Sequence, residues 1–204
     1  MRTISSLILS CISLLLFAQV PGPEQFLGYK IGTRFTPHHR IVDYYKAVAA
    51  ASPSTVKLHQ YGVTNEGRPL LVAFVSSAAN VTNLEGIRTA NLAVVNKTGK
   101  PAANQPAIVW LSYNVHGNEP SSSEAALLTL HALANPANTQ TRQYLQNTLV
   151  ILDPCLNPDG RDRYVNWYNS VVGTTYNPSP MSREHNEPWP RGRPNHYNFD
   201  LNRD

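Results

Sequence analysis

The clearest hydrophobic pattern along the chain is a pair of short unbroken apolar runs, Ala107-Ile108-Val109-Trp110-Leu111 and Leu149-Val150-Ile151-Leu152. Runs of this length, without polar residues at alternate positions, predict strands buried on both faces. Between them, Ser121 to Ala134 sets Ala125, Leu128 and Ala132 at helical spacing with Pro136 as the stop, and a shorter helix is expected over 139–146. Strand, helix, strand in that order predicts a right-handed crossover between parallel strands.

Upstream the pattern changes twice. Thr36 as cap, with Pro37 in the first turn, predicts a helix through Ile41, Val42, Tyr45 and Val48, ended by Pro53. Val56–Val63 and Leu70–Val75 are β-branched and apolar, and Thr64-Asn65-Glu66-Gly67 between them reads as a hairpin turn. A helix is expected over 83–95, then a loop from Lys97 to Asn104. From Tyr164 to Asn198 there is little periodicity, and such a stretch in a compact domain is more often functional than idle. The expected class is α/β: a mixed, largely parallel sheet flanked by helices. The chain stops at Phe199-Asp200-Leu201-Asn202-Arg203-Asp204 without a closing element, so the fold is expected to be incomplete at its C-terminus.

The first 20 residues read differently. Arg2, an apolar run from Ile4 to Phe17 and the small Ala18 make an export signal, followed by a lead-in over 21–34 and one domain over 35–204. The run is broken by serines and falls short of the roughly 20 apolar residues of a membrane span. A secreted, periplasmic or otherwise extracellular protein is expected, with no stable membrane span once the signal is removed. Of the two cysteines, Cys11 lies in that segment and Cys155 remains alone, so stability must come from a core or a metal. A formal charge of +4 with 15% charged residues and no basic runs argues against nucleic acid as a partner.

Asn114-Val115-His116-Gly117-Asn118-Glu119-Pro120 follows the first buried run at the carboxyl edge of the expected sheet, where ligands of open α/β sheets collect. His116 and Glu119 stand three apart on a strand-to-helix turn, and Gly117 leaves the backbone free to curl them toward one point. An imidazole nitrogen and a carboxylate oxygen suit zinc. In isolation, Glu119 could equally cap the following helix. Asn157-Pro158-Asp159-Gly160-Arg161 after the second run reads as a turn shaping the cleft floor.

The ordered set of His116-Gly117-Asn118-Glu119, then Asn157-Pro158-Asp159-Gly160-Arg161, then Phe199-Asp200-Leu201-Asn202-Arg203-Asp204 resembles the zinc metallocarboxypeptidase family of the carboxypeptidase A/B/E kind, over roughly residues 35–204. The resemblance implies a Zn2+ cofactor with His116 and Glu119 as its first two ligands. It implies that Asn202 and Arg203 hold the substrate's terminal carboxylate, which a guanidinium grips with two parallel bonds. It also implies an arginine that stabilises the oxyanion, for which Arg193 is the better match and Arg191 the alternative. The family's third ligand, a later histidine, and its glutamate base have no counterpart here. The other histidines, His185 beside Glu187 included, read as ordinary polar residues.

The expected function is therefore an exported carboxypeptidase acting on peptide or protein C-termini, represented by a portion that binds zinc weakly and is inactive alone. A cell-wall peptide amidase, a deacylase on the same scaffold, or a non-catalytic peptide-binding domain are the alternatives.

Overall fold

Residues 20–204 are described in this computed structural model, so the predicted export segment lies outside them except for Val20, which is buried in the core. The chain begins with α1 (Pro23–Leu27) and α2 (His38–Ala51), then the hairpin strands β1 (Val56–Val63) and β2 (Pro69–Val75). Helices α3 (Ala78–Thr82) and α4 (Leu84–Val95) lead to β3 (Ala107–Ser112), and α5 (Ser121–Ala134) and α6 (Thr139–Tyr144) to β4 (Thr148–Asp153). Helix α7 (Pro158–Val171) and a short 3-10 turn at Arg183–His185 complete the regular elements.

The four strands form one sheet in the order β1-β2-β4-β3. β1 and β2 pair antiparallel as the hairpin, β2 pairs antiparallel with β4, and β3 pairs in parallel with β4, as the strand-helix-strand order requires. The class is the mixed α/β one expected, but only one of the three pairings is parallel, because the hairpin adds its strands on the far side of β4.

Helix α2 buries Ile41, Val42, Tyr44, Tyr45 and Val48 against α5 and the sheet, meeting Leu127, Leu130, Val75, Val150 and Leu152. Each such side chain contributes about 1.5–3 kcal/mol relative to exposure. Thr36 is not the cap of α2: Pro37 takes that position without a side-chain bond, and the Thr36 hydroxyl turns inward to Glu124.

Three expectations need correction. β3 is not buried on both faces; it is an edge strand with Ile108, Val109 and Trp110 exposed, at 37, 40 and 62%. Helix α5 forms where predicted but in another phase: Ala126, Leu127 and Leu130 face the core, and Leu128 is exposed. Both stripes are apolar, so the sequence could not choose between them. Finally, the aperiodic stretch is not wholly irregular, because the helix that opens at Asn157-Pro158 runs into it. Asn157 caps α7 by accepting from the Gly160 amide at 3.0 Å, Pro158 occupies the first turn, and the helix continues to Val171.

Candidate metal centre

Three loops meet at the end of β3 and β4. Their approach is set by backbone against backbone: a Cβ on Gly117 would overlap Gly160 and the Arg161 amide, and one on Gly160 would overlap the carbonyls of Gly192 and Pro194. Gly117 is therefore required for contact, since its φ is not among the positive ones of the chain. Side chains extend the same junction. Asn157 donates to the Arg193 carbonyl at 3.1 Å and Arg163 to the Arg191 carbonyl at 2.8 Å, while Glu187 accepts from Asn118 at 3.0 Å and from the Gly192 amide.

This arrangement brings His116, Glu119 and Arg193 together. His116 Nδ1 lies 3.0 Å from Glu119 Oε1, and Arg193 Nη1 lies 3.2 Å from the same nitrogen and 3.7 Å from the same oxygen. The imidazole is 5% exposed and the Glu119 carboxylate 55%, so one donor is anchored from within and the other reaches it from the solvent side. Asp200, within a motif read from sequence but not itself singled out there, ties the group together. Its Oδ1 lies 2.8 Å from His116 Nε2, and its Oδ2 accepts from Arg193 Nε at 2.8 Å. A carboxylate only accepts, so Asp200 takes the Nε2 hydrogen, while Nδ1 faces both the Glu119 carboxylate and the Arg193 guanidinium. Partial desolvation opposes ionisation of Asp200, but the Asn202 amide, His116 and Arg193 outweigh it and hold its carboxyl at about 2.

Donors at about 2.0–2.2 Å around a tetrahedral ion stand roughly 3.3–3.6 Å apart, so the His116–Glu119 contact of 3.0 Å would have to open by a few tenths of an ångström to admit one. An imidazole nitrogen and a carboxylate are donor types that fit zinc, and the Arg193 guanidinium faces both. Among the described residues no third histidine, cysteine or acid completes a cluster with them; the one group of three, Glu66, Asp159 and His196, lies elsewhere. There the carboxylates are taken by Arg68, whose Nη1 is 2.5 Å from Glu66 and 2.8 Å from Asp159.

Other predicted positions are dispersed. Arg191 has a positive φ of 67° and is exposed, and its carbonyl, not its guanidinium, is engaged. Asn202 and Arg203 are exposed; the Asn202 amide donates to Asp200 Oδ1 at 3.0 Å, and the Arg203 guanidinium donates to the Asn202 carbonyl at 3.0 Å. His185 bonds the Asn177 carbonyl, away from the site. Burial pushes the Cys155 thiol up to about 12, so it offers neither nucleophile nor thiolate ligand.

The decisive comparison is with protein families: the zinc carboxypeptidase family model matches residues 41–204. The chain belongs to the zinc carboxypeptidase family. Carboxypeptidase E of Caenorhabditis elegans is 28% identical over 155 residues, covering 74% of this chain and 25% of that protein. Human carboxypeptidase D is 28% identical over 126 residues, covering 56% of this chain and 9% of that protein. This zinc carboxypeptidase chain thus spans a quarter or less of the length of these relatives. Among solved structures, carboxypeptidase A of Helicoverpa armigera aligns with a TM-score of 0.49 at 16% identity, over 68% of this chain and 31% of the other.

Proposed function

We propose that this chain is part of an exported zinc-dependent carboxypeptidase that removes C-terminal residues from peptides. The observation that carries the proposal is the convergence of His116 Nδ1 and Glu119 Oε1, 3.0 Å apart, beside the Arg193 guanidinium. His116 and Glu119 would hold the zinc, which when bound polarises a carbonyl and lowers the pKa of water. Asp200 would hold the Nε2 hydrogen of His116 and leave Nδ1 to offer its lone pair to the metal. Arg193, fixed through its Nε by Asp200, directs the rest of its guanidinium toward the reacting carbonyl oxygen and stabilises negative charge there. Asn202 and Arg203 grip the free carboxylate of the substrate, which restricts cleavage to the terminal bond.

The third ligand and the general base are proposed to come from polypeptide following Asp204, in keeping with the small share of each relative that the chain spans. Export rests on the pattern of residues 1–20; among the described residues no helix is long and apolar enough to cross a membrane.

Calorimetric titration with zinc and an assay on C-terminally free peptides test this reading. The 204-residue chain is expected to bind zinc weakly, to lose that binding in His116→Ala and Glu119→Ala, and to show no turnover. Zinc binding untouched by either substitution would refute the metal assignment, and robust turnover would refute the missing-ligand assignment.

A further inference from the structure

The turn that carries His116 and Glu119 is gripped from beneath by one side chain. Asn114 ends β3 in the left-handed region, with φ 55°, and is 3% exposed. Its Nδ2 donates to the carbonyl of His116 at 2.6 Å and to that of Glu119 at 3.1 Å, so one amide spans both candidate ligands. Its Oδ1 accepts from Arg161 Nη1 at 2.7 Å and from Ser123 Oγ at 2.9 Å. The backbone amide of Asn114 donates to Ser122 Oγ, and its carbonyl accepts from the Asn157 amide. No polar atom of this residue is left free to take another arrangement.

Arg161 gives that grip its rigidity. It is fully buried, and all five of its N–H donors are used: Nε and one Nη2 hydrogen on the Thr36 carbonyl, the other Nη2 hydrogen on Glu124 Oε1 at 2.7 Å, and Nη1 on Asn114 and on the Pro120 carbonyl at 2.8 Å. Glu124 balances the charge and is itself satisfied by the Thr36 amide and hydroxyl. A buried ion pair of this kind contributes little net stability against an apolar substitute, so its presence calls for a reason of position. The guanidinium is a planar fork that fixes Asn114 and Pro120, which flank the His116–Glu119 turn on both sides.

We propose that Asn114, held by Arg161, is a positioning residue that presets the His116–Glu119 pair before the metal arrives, and that metal affinity depends on it. The proposal rests on the reading of those two residues as zinc ligands. Asn114 touches neither metal nor substrate; it fixes the separation of the two carbonyls and hence the direction of the two side chains above them.

The test uses the 204-residue chain, 15N-labelled, with the His116 imidazole followed by NMR during zinc titration. Asn114→Gly keeps the left-handed backbone at no steric cost and deletes only the amide. It is expected to lower zinc affinity about 10–100-fold, the usual effect of removing a partner behind a ligand, and to lose the slowly exchanging Nε2–H signal of metal-free His116. Circular dichroism should show the fold retained. If Asn114→Gly fails to fold, Asn114→Asp takes its place, since it keeps the acceptor for Arg161 and loses both donors. Unchanged zinc affinity together with an unchanged Nε2–H signal in the folded variant overturns the proposal. If zinc leaves His116 of the parent chain unperturbed, the metal reading fails instead. The positioning role is then decided by the Nε2–H signal alone, whose loss in the variant supports it and whose retention overturns it.

Discussion

Two parts of the candidate site are built in opposite ways. The His116–Glu119 turn stands on buried, saturated hydrogen bonds from Asn114 and Arg161, and on a backbone contact at Gly117 that admits no side chain. The Asn202–Arg203 segment is exposed, and it joins the site only through Asp200, whose oxygens also face His116 and Arg193. On the proposed reading His116 and Glu119 are metal ligands, and the cost of ordering them is met during folding. A group that recognises a substrate carboxylate can instead be ordered by the substrate itself. The contrast teaches that position here is imposed by burial in one part and left to a single shared carboxylate in the other.

Substitutions can break that contrast, beginning with the largest expected effect. Arg161→Met removes the guanidinium and strands Glu124 as a buried unpaired charge, so a loss of about 3–5 kcal/mol is expected in denaturant unfolding. A loss below about 1 kcal/mol would mean that the turn does not depend on this pair. Gly117→Ala forces the turn away from Gly160 and Arg161, and a loss of about 1–3 kcal/mol is expected by the same measurement, as for other overpacked contacts. Arg203→Ala should shift stability by no more than about 0.5 kcal/mol, because its guanidinium meets only a neighbouring carbonyl on the surface. Should Arg203→Ala prove as costly as Gly117→Ala, the two parts of the site would not differ in the way described.

Much of the fold can be read from pattern alone. Helix α2 shows its buried face directly, since Ile41, Val42, Tyr45 and Val48 are apolar at helical spacing and the opposite face is not. The hairpin of β1 and β2 is announced by its turn residues. Helix α5 is different: Ala125, Leu128 and Ala132 make an apolar stripe as good as that of Ala126, Leu127 and Leu130, and only the second faces the core. β3 misleads for a related reason. Its apolar run signals a strand, but how many neighbours a strand has is a property of the sheet, and β3 has β4 on one side only among the described residues.

The site divides in the same manner. His116 and Glu119 are visible in sequence because three-residue spacing on a turn is local, and Arg193 stands out from Arg191 only as the better match to a family pattern. Asp200 is 84 positions from His116, and Asn118 is 69 from Glu187; no local period reports such pairs. Gly117 looks like a conformational freedom in the sequence and turns out to be a contact with Gly160 and Arg161, more than 40 positions away.

By itself the sequence determined the strand and helix periods, the family to which the chain belongs and the pair of donors that could meet a metal. These are set by short-range spacing and by side-chain chemistry. Tertiary structure alone decided which face of α5 is buried, that Arg161 is a core residue and not a surface one, and that Asp200 joins His116 to Arg193. Those outcomes depend on backbones that approach across the junction of three loops, where close contact and the exclusion of water fix what local preference leaves open.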